Sequence, residues 1–222
     1  MANIYLHYAF DLWVQAWRHK HATGDVIVVR FADDIVLGFQ TKSDAERFRV
    51  ELAERFRKFH LELHPEKTRL LEFGPHAANN RRARGQGQPE TFNFLGFTHI
   101  CGKQRSNGRF TVVRQTIRKR LQAKLSAVKA ELRRRLHDPI PVVGAWLRSV
   151  VGGHVRYYGV PMNQPALHRF RFQVGWRWPR ALSRRSQTGR VLWDRMRRLI
   201  NRWLPPARVC HPYPLRRLGV LT

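Results

Sequence analysis

The chain has 222 residues, and its 42 Lys and Arg against 15 Asp and Glu give a formal net charge of +27. A hydrophobic content of 43% with 7 Trp and 13 Phe argues against a disordered chain, and two cysteines far apart in sequence argue against a disulfide framework or a zinc ribbon. The surplus of cations favours a polyanionic partner, so ribosomal-type binders, architectural proteins and nucleic-acid enzymes all remain open. Because no apolar run has transmembrane length and no signal peptide is evident, we expect a cytoplasmic protein without a membrane partner.

The front of the chain is patterned as helices and short strands. Apolar side chains at helical spacing predict a helix over 3–21. Two β-branched and aromatic runs, 26–31 and 35–39, flank Ala32-Asp33-Asp34 and predict a hairpin. The next helix should start with the capping pattern Ser43/Glu46 and run to about His60. The expectations that follow are a strand over 68–73, a loop over 74–91 and a second hairpin made of 92–97 and 109–113.

The charge is concentrated in the second half of the chain. Residues 1–111 hold 17 cations and 12 anions, a net charge of +5, whereas the remainder holds 25 cations and 3 anions, a net charge of +22. Apolar residues at steps of three and four predict a long helix from about 115, followed by three more helices, 142–158, 166–185 and one around 191–203. The overall expectation is an α+β fold, mixed in front and all-helical behind.

Two adjacent carboxylates at the tip of an apolar hairpin are the candidate for chemistry. Asp33 and Asp34 offer the hard oxygen ligands that Mg²⁺ prefers beside substrate phosphates, and paired ions of this kind support nucleotidyl transfer. Asp-Asp is also common in turns without any catalytic role, and the dipeptide alone favours that simpler interpretation. The buried-strand pattern on both sides and the very basic chain favour the catalytic one.

Several segments in order resemble group II intron-encoded reverse transcriptases, and the similarity extends over essentially the whole chain. VIVVRFADDIVLGF resembles their (Y/F)xDD palm hairpin, and FNFLGFTH resembles the primer-grip hairpin. LELHPEKTRLLEFG, WLRSVVGGHVRYYGVPMN and HPYPLRRLGVLT resemble the next palm motif, the maturase-specific region and the C-terminal ending. The resemblance implies three parts: a partial palm over 1–114, a thumb and maturase region over 115–195, and a basic C-terminal helix and tail over 196–222.

The resemblance also implies residue roles. Asp33 would bind the catalytic Mg²⁺ with Asp34 beside it, and Lys67 would protonate the departing pyrophosphate, unless it is an ordinary solvated lysine. Phe94, Leu95 and Gly96 would form the primer grip, which is compatible with a plain core hairpin. We expect most tryptophans to be core anchors rather than base-stacking platforms. The cations expected to contact nucleic-acid phosphates are Arg118, Lys119, Arg133, Arg134, Arg184, Arg185, Arg197 and Arg198.

The chain departs from the family pattern where the polymerase site should be complete. The third palm aspartate and the Pro-Gln-Gly segment are absent, and Asp11, on a predicted helix, is not promoted to a metal ligand. We therefore expect a truncated reverse transcriptase/maturase without a competent polymerase site of its own. Its expected partners are group II intron RNA, an RNA template with a DNA primer, and a complementing N-terminal reverse transcriptase fragment. The alternative is a non-catalytic RNA-binding maturase remnant that assists intron splicing.

Overall fold

The computed structural model describes residues 2–104, 107–185 and 192–212. Two antiparallel sheets, one of two strands and one of three, combine with helices in the described chain, which confirms the predicted α+β class. The chain divides into two compact units, Met1–Glu72 and Phe73–Thr222. No helix in the described ranges combines the length and apolar character needed to cross a membrane.

Unit 1 contains an interrupted helix, a hairpin and a second helix. In chain order these are α1 (Ala2–Leu6), a π-helical segment (His7–Asp11), α2 (Leu12–Lys20), β1 (Val26–Phe31), β2 (Asp34–Phe39) and α3 (Lys42–Lys58). The helix predicted over 3–21 and the hairpin predicted around Asp33 are both confirmed.

An aromatic core joins the helices of unit 1 to one face of the hairpin. Trp17 packs edge-on against Phe48 of α3, with 4.9 Å between the ring centroids. Strand alternation directs Val26, Val28 and Leu37 to this core. The opposite face of β1 is exposed, and it presents apolar side chains at Ile27, Val29 and Phe31.

Three local expectations in the front part were wrong. Helix α3 is capped by Thr41, whose hydroxyl accepts a hydrogen bond from the Asp44 amide at 3.3 Å, so the capping pair is Thr41/Asp44 and not Ser43/Glu46. Residues 68–73 form no strand. The predicted loop 74–91 contains a short helix, α4 (Ala77–Ala83).

Unit 2 combines a three-stranded antiparallel sheet with five helices in its described part. Besides α4, its elements are β3 (Phe92–Phe94), β4 (Phe97–Lys103), β5 (Phe110–Thr116), α5 (Arg118–Arg134), α6 (Ile140–Tyr158), α7 (Gln164–Leu182) and α8 (Trp193–Trp203). The helices predicted from 115 onward are confirmed. Val191 and the tail over 213–222, which includes Arg216 and Arg217, lie outside the described residues.

The helices of unit 2 pack around one apolar core. The predicted stripe on α5 is buried at Leu121, Leu125, Val128 and Leu132. Trp178 of α7 and Met196 of α8 are fully buried in the same core. The polar Asn163 joins the sheet to the helices, because its side chain accepts a hydrogen bond from the Thr116 amide at 2.9 Å and donates to the Tyr158 carbonyl at 2.8 Å. The sheet β3–β5 and the helices therefore share unit 2.

Candidate functional site

The acidic hairpin closes with a two-residue turn. Phe31 pairs with Asp34, so Ala32 and Asp33 form the turn and Asp34 opens β2. Ala32 adopts a φ of +55°, in the left-handed region that disfavours residues with a Cβ. Such conformations persist only where surrounding contacts hold them, and they occur often at functional sites. The turn that carries Asp33 is thus held in a strained conformation.

Arg30 supplies the contact that holds this turn. Its Nη1 donates to the Ala32 carbonyl at 3.0 Å. The same guanidinium forms a bidentate pair with Asp11, with Nε to Oδ1 at 2.8 Å and Nη2 to Oδ2 at 2.6 Å. Asp11 ends the π-helical segment, an irregularity that places this carboxylate against β1. A chain of hydrogen bonds therefore connects the interrupted helix to the turn.

Sequence reasoning missed the role of Asp11. The hydrogen bond from Arg30 lowers the pKa of the Asp11 carboxyl below its ordinary value, against the opposing effect of partial burial and with a further contribution from His7. Asp11 is therefore ionised at neutral pH and engaged as a positioning residue. The available signal in the sequence was Arg30, a basic residue in β1 two positions before the turn. The sequence alone does not show that its partner is Asp11.

Asp33 and Asp34 are exposed, and their carboxylates form no hydrogen bond or ion pair within the described part of the chain. Their oxygens are free to bind a hard cation together with phosphate oxygens, as Mg²⁺ prefers. No group of three or more His, Cys, Asp or Glu side chains suited to a metal ion occurs among the described residues. The pair thus fits Mg²⁺ as a partial ligand set.

Lys67 lies at the end of an exposed turn, Pro65–Lys67, and its amide donates to the His64 carbonyl at 3.2 Å. It belongs to unit 1, as do Asp33 and Asp34. Within the described part of the chain, no contact of the Lys67 side chain assigns it a role, so proton donation by Lys67 stays a prediction.

The predicted primer-grip turn belongs to unit 2. Phe94 pairs with Phe97, and both residues between them have positive φ, +47° for Leu95 and +81° for Gly96, as in a type I′ turn. The Tyr157 hydroxyl donates to the Leu95 carbonyl at 2.9 Å.

Gly96 is required here for local reasons. A Cβ at this position would stand 2.9 Å from the Tyr158 hydroxyl oxygen. The sequence suggested a close approach to nucleic acid, and the structure adds a close approach to the end of α6.

Seven of the eight predicted phosphate-binding cations are exposed on α5, on α8 and in the turn that follows α7. The seven are Arg118, Lys119, Arg133, Arg134, Arg184, Arg197 and Arg198. Arg185 differs, because it is half-buried and its Nη2 donates to the Asp138 carbonyl at 2.6 Å. Arg185 thereby stabilises the packing of unit 2. The expectation of phosphate contact stays a prediction for the seven exposed cations.

A cleft of about 630 Å³ lies between α5 and α6, within the size range of small-molecule sites. Arg120 and Lys124 line one side, and His154 and the Tyr157-Tyr158 pair line the other. His154 stacks on Phe170 with 3.8 Å between ring centroids. Burial, and secondarily the charge of Lys124, lower the pKa of His154 to about 4, so the imidazole is neutral at pH 7. The cleft combines cations with uncharged aromatic walls.

One family model matches the front part of the chain. Residues 1–99 match the model of the family described as reverse transcriptase (RNA-dependent DNA polymerase). The matched segment contains the Asp33-Asp34 hairpin and the Leu95-Gly96 turn. No curated protein matches the chain. The front of this chain is therefore similar to reverse transcriptases, a family that acts on nucleic acid.

Proposed function

We propose that this chain is a reverse transcriptase/maturase of the group II intron type, in which the helices of unit 2 bind intron RNA. The observation that carries the proposal is the order of two features: a segment similar to reverse transcriptases contains the Asp33-Asp34 hairpin, and strongly cationic helices follow it. The quoted resemblance of 146–163 to maturase-specific regions supports the assignment to introns.

The charge of the helical part of unit 2 favours a polyanionic partner such as RNA. From residue 112 onward, the sequence contains 25 cations and only three acidic residues, Glu131, Asp138 and Asp194. Glu131 is already paired with Arg135 at 2.7 Å and with Arg134 at 3.5 Å. The cations of this segment thus far outnumber its carboxylates, and the repulsion among them is relieved when phosphates bind.

The hairpin supports a role in DNA synthesis. Asp33 and Asp34 would hold Mg²⁺, which when bound stabilises charge on the attacking and leaving oxygens. The fixed turn keeps Asp33 in one position, and the apolar face at Phe31 would contact the primer end. Lys67 would donate the proton that the departing pyrophosphate takes up.

RNA binding is the first test. The chain should bind a group II intron transcript with an affinity that falls steeply as salt increases, because many phosphates are contacted. Replacing Arg133 and Arg134 by Gln should reduce the salt slope by about two. Lys42, which is exposed on unit 1 and paired with Glu46 at 3.4 Å, provides a control as Lys42→Gln. A salt-independent affinity would contradict the proposal.

Maturase action is tested by splicing of the same transcript at a Mg²⁺ concentration too low for the RNA alone. We expect the chain to accelerate splicing, and Asp33→Asn to leave this effect unchanged, since the hairpin is not the proposed intron-binding surface. No acceleration, with RNA binding intact, would exclude the maturase role.

DNA synthesis is tested by primer extension on a poly(rA)/oligo(dT) template. Extension that Asp33→Asn abolishes would support the polymerase role, with or without an added N-terminal reverse transcriptase fragment that supplies a third aspartate. RNA binding and splicing without extension under either condition would identify the alternative, a non-catalytic maturase.

A further inference from the structure

Helix α7 exposes two large aromatic side chains one turn apart. Phe172 is 65% and Trp176 is 41% exposed. Four residues along a helix correspond to about 6 Å of rise, so the two rings lie side by side on one face. The opposite face of α7 is packed into the core, since Phe170, Val174 and Trp178 are fully buried. The helix is thus firmly seated, and the exposure of its aromatics belongs to the folded state.

Arginines flank the exposed rings. Helical geometry places Arg169 and Arg180 on the same face, and both are exposed. The guanidinium of Arg180 lies over the Trp176 ring. The sequence of α7 contains no acidic residue.

The other arginines of α7 have partners within the fold. Arg171 donates to the Pro205 carbonyl at 3.0 Å, and Arg177 donates to the Gln173 carbonyl at 3.0 Å. The helix therefore separates structural arginines from those on the aromatic face. Large exposed aromatics are costly in water, and a contiguous group of them indicates a binding surface.

We propose that this face of α7, defined by Arg169, Phe172, Trp176 and Arg180, binds a single-stranded nucleic-acid segment. Unpaired bases stack on Phe172 and on the Trp176-Arg180 pair, because aromatic rings and guanidinium planes both accept bases. The flanking arginines contact the phosphates. The inference rests on the proposed RNA-binding function and specifies the class of RNA structure that this face takes.

A single strand fits this surface better than the other polyanions. Bases inside a duplex are already stacked and offer no face to Phe172 or Trp176, so a duplex would use the arginines alone. An anionic membrane would contact the same aromatics and arginines without any base stacking. Binding to such a membrane is the competing outcome of the test.

The test compares a uridine homopolymer with a blunt RNA duplex of equal strand length, using fluorescence anisotropy at several salt concentrations. Phe172→Ala and Trp176→Ala should each weaken binding to the homopolymer about fivefold or more, the loss of one stacked base. Duplex affinity and the salt slope should stay unchanged, because no phosphate contact is removed. Arg169→Gln, which leaves the Trp176-Arg180 pair intact, should lower the salt slope by about one on the single strand.

Val142→Ala is the matched control, since Val142 is an exposed apolar residue on α6 of the same unit. It should leave both affinities unchanged. Circular dichroism and thermal melting should be the same for all variants, because each substituted side chain is exposed.

Three outcomes would overturn the inference. The first is an unchanged homopolymer affinity in the double variant Phe172→Ala/Trp176→Ala, with salt-dependent RNA binding by the unaltered chain; this result leaves the proposed function standing. The second is an equal loss on homopolymer and duplex, and the third is a loss confined to phosphatidylserine/phosphatidylcholine vesicles. If the unaltered chain binds no RNA at low salt, the proposed function fails and this inference fails with it.

Discussion

Breaking the pair between Asp11 and Arg30 should loosen the turn that carries Asp33. Asp11→Asn keeps the size of the side chain and removes its charge, leaving the Arg30 guanidinium without its anion. Because Arg30 also donates to the Ala32 carbonyl at 3.0 Å, we expect the effect to reach the turn. Arg30→Gln removes the other partner, and the double variant completes a cycle that isolates the pair.

The expected coupling energy between Asp11 and Arg30 follows from the geometry and exposure of the pair. The pair has two short charge-assisted hydrogen bonds, at 2.8 and 2.6 Å, and the side chains of Arg30 and Asp11 are 17% and 29% exposed. Fully exposed pairs contribute about 0.2–1 kcal/mol, and hydrogen bonds to charged groups about 1.5–3 kcal/mol. For this half-buried pair we expect a coupling energy of about 1–2 kcal/mol.

The pH dependence of the coupling has a defined sign. The pKa of Asp11 is lowered from its ordinary 3.8 in the folded chain. The stability that the Asp11–Arg30 pair contributes is therefore complete above about pH 4. It is lost as the pH falls through the pKa of Asp11 in the folded chain. Asp11→Asn should abolish this part of the acid dependence.

Hydrogen exchange of the hairpin peptide 26–39 is the appropriate assay, because it reports local opening separately from the remainder of the chain. The matched control is the exposed pair Lys42–Glu46, broken by Glu46→Gln. A coupling energy for Asp11–Arg30 no larger than that of this control would refute the reasoning, since solvent would then screen both pairs equally.

Three further predictions concern unit 2. Lowering the pH from 6.5 to 4 should reduce the unfolding free energy by about 2–3 kcal/mol through His154 alone, because the unfolded chain binds a proton that the buried imidazole, with its pKa lowered to about 4, does not; urea unfolding of His154→Phe should lack this slope. Gly96→Ala should lower the melting temperature more than Gly108→Ala, since both have positive φ but only the Cβ at Gly96 meets another side chain, that of Tyr158; equal losses would mean that the contact relaxes freely. Asn163→Ala should cost about 2–4 kcal/mol in chemical denaturation, because it leaves the buried amide and hydroxyl of Thr116 without their hydrogen bonds to Asn163; a loss below about 1 kcal/mol would show that water replaces them.

Periodic apolar patterns predicted most of the elements, because each helix carries its own stripe. On α5 the steps from Leu121 to Leu132 were sufficient. The start of α3 was predicted at the wrong pair because Thr41/Asp44 and Ser43/Glu46 both fit the capping pattern. What decides between them is a tertiary contact: Asp44 also accepts hydrogen bonds from the amide and hydroxyl of Thr23, both at 2.9 Å.

Strand prediction at 68–73 failed for a related reason. A β-branched and apolar run becomes a strand only where another strand offers hydrogen-bonding groups, and the described sheets contain none that pairs with this segment. The candidate site was likewise predictable only where its residues adjoin in sequence. Asp33 and Asp34 are neighbours, whereas Asp11 and Arg30 are 19 residues apart and meet only in the folded unit.

The Ala32-Asp33 turn and the Leu95-Gly96 turn share a structural feature that neither sequence motif reveals. Ala32 and Leu95 are both non-glycine residues with positive φ, a conformation that costs about 1–2 kcal/mol. In each turn the carbonyl of that residue accepts a hydrogen bond from a side chain anchored elsewhere: Arg30, held by Asp11, for Ala32, and Tyr157 of α6 for Leu95. Glycine or asparagine would relieve the strain without any such bond, so the observed residues make each turn depend on its supporting helix. The positions of the Asp33 and Gly96 backbones are therefore fixed by helix packing, which is the kind of rigid support that a preorganised site requires.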